Sequence, residues 1–177
     1  MTAITNTPYC SQRDNLRGPT RTCFSSSCAM LVMTLRPGRI HSDDEYIEEV
    51  FKHGDTTDAS AQLAALKHYG IKARFVTNAS KATLIKQLEK GIPVPCGYYH
   101  HGTPRHPSGG GHWCCVIGAD YNGVVVHDPW GECNLLYGSF PSYNGAKAHY
   151  SDKNWTNTRW MADGPGTGWA ILAEKPE

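Results

Sequence analysis

Cys23 opens the stretch Thr22-Cys23-Phe24-Ser25-Ser26-Ser27-Cys28-Ala29-Met30-Leu31-Val32-Met33-Thr34-Leu35, which reads as a helix with a thiol in its first turn. Thr22 suits the N-cap position, and Phe24, Cys28, Leu31, Val32 and Leu35 recur at helical spacing, which predicts one buried apolar face. Arg36-Pro37-Gly38 then stops the helix. At a helix N-terminus, unpaired backbone N–H groups and the positive end of the macrodipole favour the thiolate, the form that attacks a carbonyl carbon. Cys23 is therefore the candidate nucleophile, while Cys28 on the apolar stripe reads as core. Such a nucleophile needs a base to carry its proton, a third group to orient that base, and donors for the oxyanion formed on attack. Nine histidines compete for the first of these roles.

The elements around this helix follow from caps and periodicity. Residues 42–53 read as a second helix, with Ser42 as cap and Asp43, Asp44 and Glu45 in its acidic first turn. A third covers 57–69 and stops at Gly70, and a fourth covers 80–89 and ends at Gly91. Between the last two, residues 71–76 alternate as a short strand. From there the pattern turns to β, with strands expected at 92–99, 113–119, 123–127, 133–137 and 168–172. Helices followed by a run of strands predict an α+β fold with an antiparallel sheet. The twelve residues 100–111 carry no core-forming side chain and read as a mobile lid that delivers the chain to His112. In the tail, residues 140–165, Trp155 and Trp160 are open to two readings, packing over the sheet or lining a groove.

Gly111-His112-Trp113 followed by Val124-Val125-Val126-His127-Asp128-Pro129-Trp130-Gly131 resembles the His and Asp segments of the papain-like cysteine peptidases related to the bacteriocin-processing domains of exporters. Tyr9-Cys10-Ser11-Gln12-Arg13-Asp14-Asn15 is similar to that family's oxyanion segment, and Cys23 through Met30 to its nucleophile helix. The resemblance spans roughly residues 8–132 in order, and the tail around Tyr150-Ser151-Asp152, Arg159-Trp160 and Gly164–Trp169 is similar to stand-alone members of phage type. It implies a papain-like α+β fold, with Cys23 as nucleophile, His112 as general base and acid, and Asp128 as its orienter. The Gln12 amide and the Cys23 backbone N–H would form the oxyanion hole. In one place the chain departs from the pattern: Phe24 follows the cysteine where many members have glycine.

Strand geometry constrains this assignment. If His112 and Asp128 face each other across an antiparallel pair, the hairpin centres on Asp120 with a loop of about Gly118–Asn122. The competing signal is Asn122-Gly123 as a two-residue turn. That register pairs Tyr121 with Val124 and sets Asp128 opposite Ile117, roughly 16 Å from His112 at about 3.3 Å per residue. The catalytic assignment therefore requires a wider loop, with Gly123 at a bulge or strand start. Alternation also sends His127 and Asp128 to opposite faces, which removes His127 from the site. His112, Cys114, Cys115 and Cys133 lack the paired spacing of structural zinc sites, and His100, His101 and His106 lie in a flexible Gly/Pro segment. No metal or organic cofactor is expected.

Composition sets the remaining bounds. A chain of 177 residues with 40% hydrophobic residues suits a single domain over 1–177. A formal net charge of +1 without charge blocks gives no basis for a nucleic-acid or membrane partner. No apolar run is long enough to span a bilayer, and Met1–Asn6 lacks the basic and apolar regions of a signal peptide. With seven unpaired-looking cysteines, the expectation is a reduced, soluble chain made in the cytoplasm, acting at the cell wall only after release at lysis. The expected activity is hydrolysis of peptide bonds through a thioester, in a polypeptide or in peptidoglycan, the latter as a phage-type lytic endopeptidase. The alternatives are acyl transfer by the same chemistry, or a non-catalytic binding or virion-associated module on the same fold. The oligomeric state is left open.

Overall fold

The computed structural model describes residues 3–160 and 163–177. Met1 and Thr2 of the N-terminal segment and Met161 and Ala162 of the tail lie outside the described residues. Four α-helices form where caps and apolar spacing place them: α1 (Cys23–Leu35), α2 (Asp43–Phe51), α3 (Ala59–His68) and α4 (Lys81–Glu89). Ser42 accepts a hydrogen bond from the Glu45 N–H ahead of α2, and Ser80 and Thr83 close a reciprocal capping box ahead of α4. The strands are β1 (Ala3–Ile4), β2 (Ala73–Ala79), β3 (Val94–Tyr98), β4 (His101–Thr103), β5 (His106–Ser108), β6 (His112–Ala119), β7 (Gly123–His127), β8 (Ala148–Ser151) and β9 (Gly168–Ala173).

Seven strands make one antiparallel sheet in the order β2-β9-β3-β6-β7-β8, with β1 also paired to β6. Helices α1–α3 cover one face and α4 lies on the other with the stacked pair Trp155 and Trp160. Strand β6 therefore packs on both sides: Cys114 and Val116 face α4, whereas Cys115 and Ile117 face α1. This double covering explains why His112–Ala119 reads as an apolar run rather than an alternation. Both tail tryptophans are fully buried, so they pack under the sheet and do not line a groove.

Three expectations change. Helix α1 was expected to bury one face, but every residue from Phe24 to Val32 is buried. Two of its three buried serines meet other buried groups: Ser25 meets Thr56 at 2.7 Å and accepts from the Gln62 amide at 2.7 Å, and Ser26 donates to Asp43 at 2.6 Å, while the Ser27 hydroxyl has no hydrogen-bond partner among the described residues. Residues 133–137 do not form a strand. The Asn134 side chain accepts from the Leu136 N–H, the Gly138 N–H bonds the Asn134 carbonyl, and one bridge, Asn134 to Ser139, is all that pairs. The segment 100–111 is not a plain loop, because His101–Thr103 and His106–Ser108 pair as the β4–β5 hairpin.

Candidate active site

Cys23 is the first residue of α1 and only partly buried. Thr22 precedes it, but the Thr22 hydroxyl makes no capping bond to the helix and instead donates to the Gly18 carbonyl at 2.9 Å. The first-turn N–H groups, which have no intrahelical partner, are thereby not taken up by the cap side chain. The Asn15 amide, hydrogen-bonded to Thr22 Oγ1 (2.9 Å) and Ser26 Oγ (3.0 Å), fixes this end of the helix to the preceding loop.

His112 begins β6 at the end of the sheet and is 5% exposed. Its Nε2 donates to Asp128 Oδ1 at 2.6 Å, and Cys23 is a further electrostatic neighbour across the same cleft. Burial works against protonation of His112, but the Asp128 carboxylate and Cys23 outweigh it and raise the imidazole pKa to about 10. The rings of Tyr98, His100 and Phe140 lie 5.3–5.5 Å from that of His112 and enclose it.

Asp128 reaches His112 by a register that neither hairpin reading anticipated. The turn residues are Tyr121 and Asn122, closed by Asp120, whose N–H bonds the Gly123 carbonyl and whose side chain accepts from the Asn122 and Gly123 N–H groups. Pairing begins with Ala119↔Val124 and Gly118↔Val125, then shifts at a bulge to Val116↔Val126 and Cys115↔His127. Without the bulge, Asp128 would fall level with Cys115, on the face away from His112. With it, one step past Cys115↔His127 brings Asp128 level with Cys114, on the same face as His112 and within diagonal reach. His127 points the other way, where its Nε2 donates to the Thr7 carbonyl at 2.8 Å.

The Asp128 carboxylate is fully buried and accepts four hydrogen bonds: His112 and the Trp130 N–H (3.1 Å) on Oδ1, and the hydroxyls of Tyr98 (2.6 Å) and Tyr150 (2.8 Å) on Oδ2. Its main chain is held as tightly, with its N–H on the Gly145 carbonyl (2.9 Å) and its own carbonyl accepting from the Tyr9 hydroxyl (2.9 Å). A Cβ on Gly145 would sit 1.9 Å from the Asp128 carbonyl oxygen, so only glycine fits there. Tyr98 and Tyr150 were not singled out as site residues from sequence. Tyr98 pairs with His112 across β3 and β6, so the register alone would have marked it.

Gln12 is 2% exposed and lines the same cleft as Cys23 and His112, a space of about 720 Å³. Its Nε2 donates to the Pro19 carbonyl at 3.0 Å, while its Oε1 has no hydrogen-bond partner. The segment carrying it is bolted to the segment carrying Asp128: Gln12 N–H bonds the Pro129 carbonyl (2.9 Å), and Arg13 Nε bonds the Trp130 carbonyl (2.6 Å). Phe24, the departure from the expected glycine, lies flat on Trp113, with centroids 3.6 Å apart and planes at 6°. Opposite, Arg159 is fully buried and donates to the carbonyls of Tyr99, His101, Gly102 and Leu135, which ties down the base of the β4–β5 hairpin beside the cleft. The structure thus gathers Cys23, His112 and Gln12 around one cleft, with Asp128 buried behind His112, and leaves His127 and Cys28 outside it.

The model of the Peptidase C39 like family matches residues 4–162 of the sequence. Comparison with curated proteins gives no match. Among solved structures, a Bacillus anthracis protein assigned to the C39-like peptidases superposes with a TM-score of 0.66 at 17% identity, over 99% of this chain and 98% of its own. The double glycine motif protease of an AMS/PCAT transporter, solved with its leader peptide, gives 0.60 at 13% identity, over 99% and 95%. The peptidase domain of Streptococcus ComA, a bifunctional ABC transporter of a quorum-sensing pathway, gives 0.58 at 18% identity over the whole of both chains.

Proposed function

This chain belongs to the Peptidase C39 like family, and on that premise we propose that it is a working cysteine peptidase with Cys23 as nucleophile, His112 as base and acid, and Asp128 as orienter. The observation that carries the reading is the unbroken hydrogen-bond line from Tyr98 and Tyr150 through Asp128 to His112, which shares one cleft with Cys23. Partnership with Asp128 and Cys23 favours His112 in its protonated form, and the thiolate is the form in which a cysteine attacks.

Cys23 Sγ bonds to the scissile carbonyl carbon, and the carbonyl π electrons move to oxygen. The oxyanion accepts from the Cys23 backbone N–H and from the second N–H of the Gln12 amide, whose first N–H is fixed on Pro19. Collapse of this intermediate breaks the C–N bond as His112 gives its proton to the departing amine. His112, now neutral, takes a proton from water, the hydroxide displaces Sγ from the thioester, and a carboxylic acid leaves. The buried aspartate holds the ring tautomer through Nε2 and stabilises the imidazolium.

For substrate we take the cross-linking peptide of peptidoglycan first, the target of a lytic endopeptidase of phage type, released to the wall from the cytoplasm at lysis. A leader-type polypeptide, the ligand of the AMS/PCAT relative, is the second arm. The test incubates purified peptidoglycan, a denatured protein and a leader-type peptide with wild-type and Cys23→Ala protein under reducing conditions, with and without an amine acceptor. New amino groups that vanish in the variant establish a peptidase and identify its substrate, and an amide adduct with the acceptor identifies acyl transfer. If no substrate is cut and iodoacetamide labels Cys23 no faster than Cys28, the chain is a binding module on this fold.

A further inference from the structure

We propose that the ring stack of Phe24 on Trp113, seated on Gly97, is the gauge that fixes the distance between nucleophile and base. The inference rests on Cys23 and His112 having those roles. Phe24 directly follows Cys23 on α1, and Trp113 directly follows His112 on β6. The nucleophile and the base thus come from different elements, and the residues beside them meet face to face at 3.6 Å and 6°. Two parallel rings at this separation can neither approach nor tilt without steric cost, so the contact fixes a spacing where a flexible aliphatic pair would tolerate several.

The stack has a built seat. Gly97 pairs with Trp113 on one side and with Trp169 on the other, so the three residues form one row across β6, β3 and β9. A Cβ on Gly97 would lie 3.0 Å from Trp113 Cε2 and 3.1 Å from Cζ2, which shows that the indole rests against the glycine backbone. Phe24 is 3% exposed, so it is held in the interior rather than laid on the surface. Phe75 touches the edge of the same cluster, 6.2 Å from Trp113, but adjoins no residue of the site. Phe24, Trp113 and Gly97 all line the cleft, which makes them positioning residues that also form its wall.

The readout is the titration midpoint of His112, followed by NMR of its ring proton, together with the rate of Cys23 alkylation by iodoacetamide at pH 7. Neither needs a substrate. Cys23→Ser is measured first and is expected to lower the His112 midpoint. An unmoved midpoint removes the Cys23–His112 pair itself, and with it both the peptidase reading and this inference. Given that pair, Phe24→Leu is expected to lower the His112 midpoint by about one pH unit or more and to slow alkylation of Cys23 relative to the wild type. Phe24→Tyr, which keeps the stack, should restore both. Gly97→Ala, which displaces the indole while keeping both aromatic side chains, should shift them in the same direction as Phe24→Leu, and it carries the test if Phe24→Leu does not fold. Phe75→Leu should leave both at the wild-type values. Unchanged values in Phe24→Leu or Gly97→Ala, or an equal shift in Phe75→Leu, would overturn the gauge and leave the stack as ordinary packing.

Discussion

At one end of the sheet β6 begins with His112 and β7 ends with His127, and the two imidazoles are almost equally buried, at 5% and 2% exposed. His127 spends both nitrogens on neutral backbone: Nε2 donates to the Thr7 carbonyl, and Nδ1 accepts from the Lys147 N–H at 3.0 Å. Burial then lowers its pKa and it stays uncharged. His112 meets a carboxylate on one nitrogen and has Cys23 in the same cleft, and the same burial is overcome. Charge on the partner, rather than depth, separates the imidazole that stays neutral from the one that holds a proton.

The sharpest break in this comparison is to exchange each ring for an amide. His112→Gln should lower kcat/KM by a factor on the order of 10²–10⁴, with folding retained. His127→Gln should leave kcat/KM within a few-fold, while stability falls by about 1–3 kcal/mol because a buried backbone partner loses its bond. Peptide cleavage and urea unfolding on the same preparations decide this. Comparable activity losses in the two variants would erase the distinction.

Gln12 sharpens the comparison from the side of the oxyanion. Its amide is anchored by a single bond to Pro19, so Gln12→Ala removes a fixed donor without touching the Cys23–His112 pair. The expected result is kcat lowered by about 10²–10³, with KM little changed and iodoacetamide alkylation of Cys23 as fast as in the wild type. A change confined to KM would place Gln12 in the cleft wall only.

How far these roles could be read in the sequence depended on how local their causes are. The four helices announced themselves through Ser42 and Ser80 caps, glycine stops and apolar spacing, and β7 through Val124-Val125-Val126. The separation of His127 from Asp128 followed from strand alternation alone. The register did not: Asn122-Gly123 is a strong local turn signal, but the Asp120 side chain captures two N–H groups and moves the turn one residue back. A bulge between Val116 and Gly118, which no residue type advertises, then corrects the face of Asp128. The β4–β5 hairpin was hidden because its strands carry His, Gly, Thr, Pro and Ser rather than alternating apolar residues, and because its base is held from afar by Arg159. Tyr98 and Tyr150 act on Asp128 from 30 and 22 residues away, so only the pairing of β3 with β6 and of β7 with β8 assembles them.

Those tyrosines test whether the carboxylate is held for chemistry or for packing. Tyr98→Phe and Tyr150→Phe each remove one hydroxyl from Asp128 Oδ2 while keeping the ring. Hydrogen bonds to a charged group contribute about 1.5–3 kcal/mol, and the remaining hydroxyl still serves the oxygen, so each single change should cost less than the double change implies. The double variant should lose clearly more than the sum of the singles, in both stability and kcat. Strict additivity would mean that the two hydroxyls act on the carboxylate independently of each other.

The smallest effect is the pH dependence of stability, where the histidines pull in opposite directions. His112 binds its proton more tightly folded, with a pKa near 10 against about 6.5 unfolded. Its contribution is therefore complete below about pH 6.5 and declines as pH rises towards 10. His127, lowered by burial, and His100, lowered to about 4 by burial and by the nearby His112, bind protons less tightly folded. Their contributions are complete above about pH 6.5 and are lost as pH falls, for His100 down to about 4. Urea midpoints of the wild type should pass through a maximum and decline on the alkaline side. Asp128→Asn removes the charge that raises His112, so its alkaline decline should flatten while the acid decline persists. An Asp128→Asn profile parallel to the wild type from pH 7 to 10 would show that the proton on His112 is not held by Asp128, and the distinction between the two histidines would then have to rest on Cys23 alone.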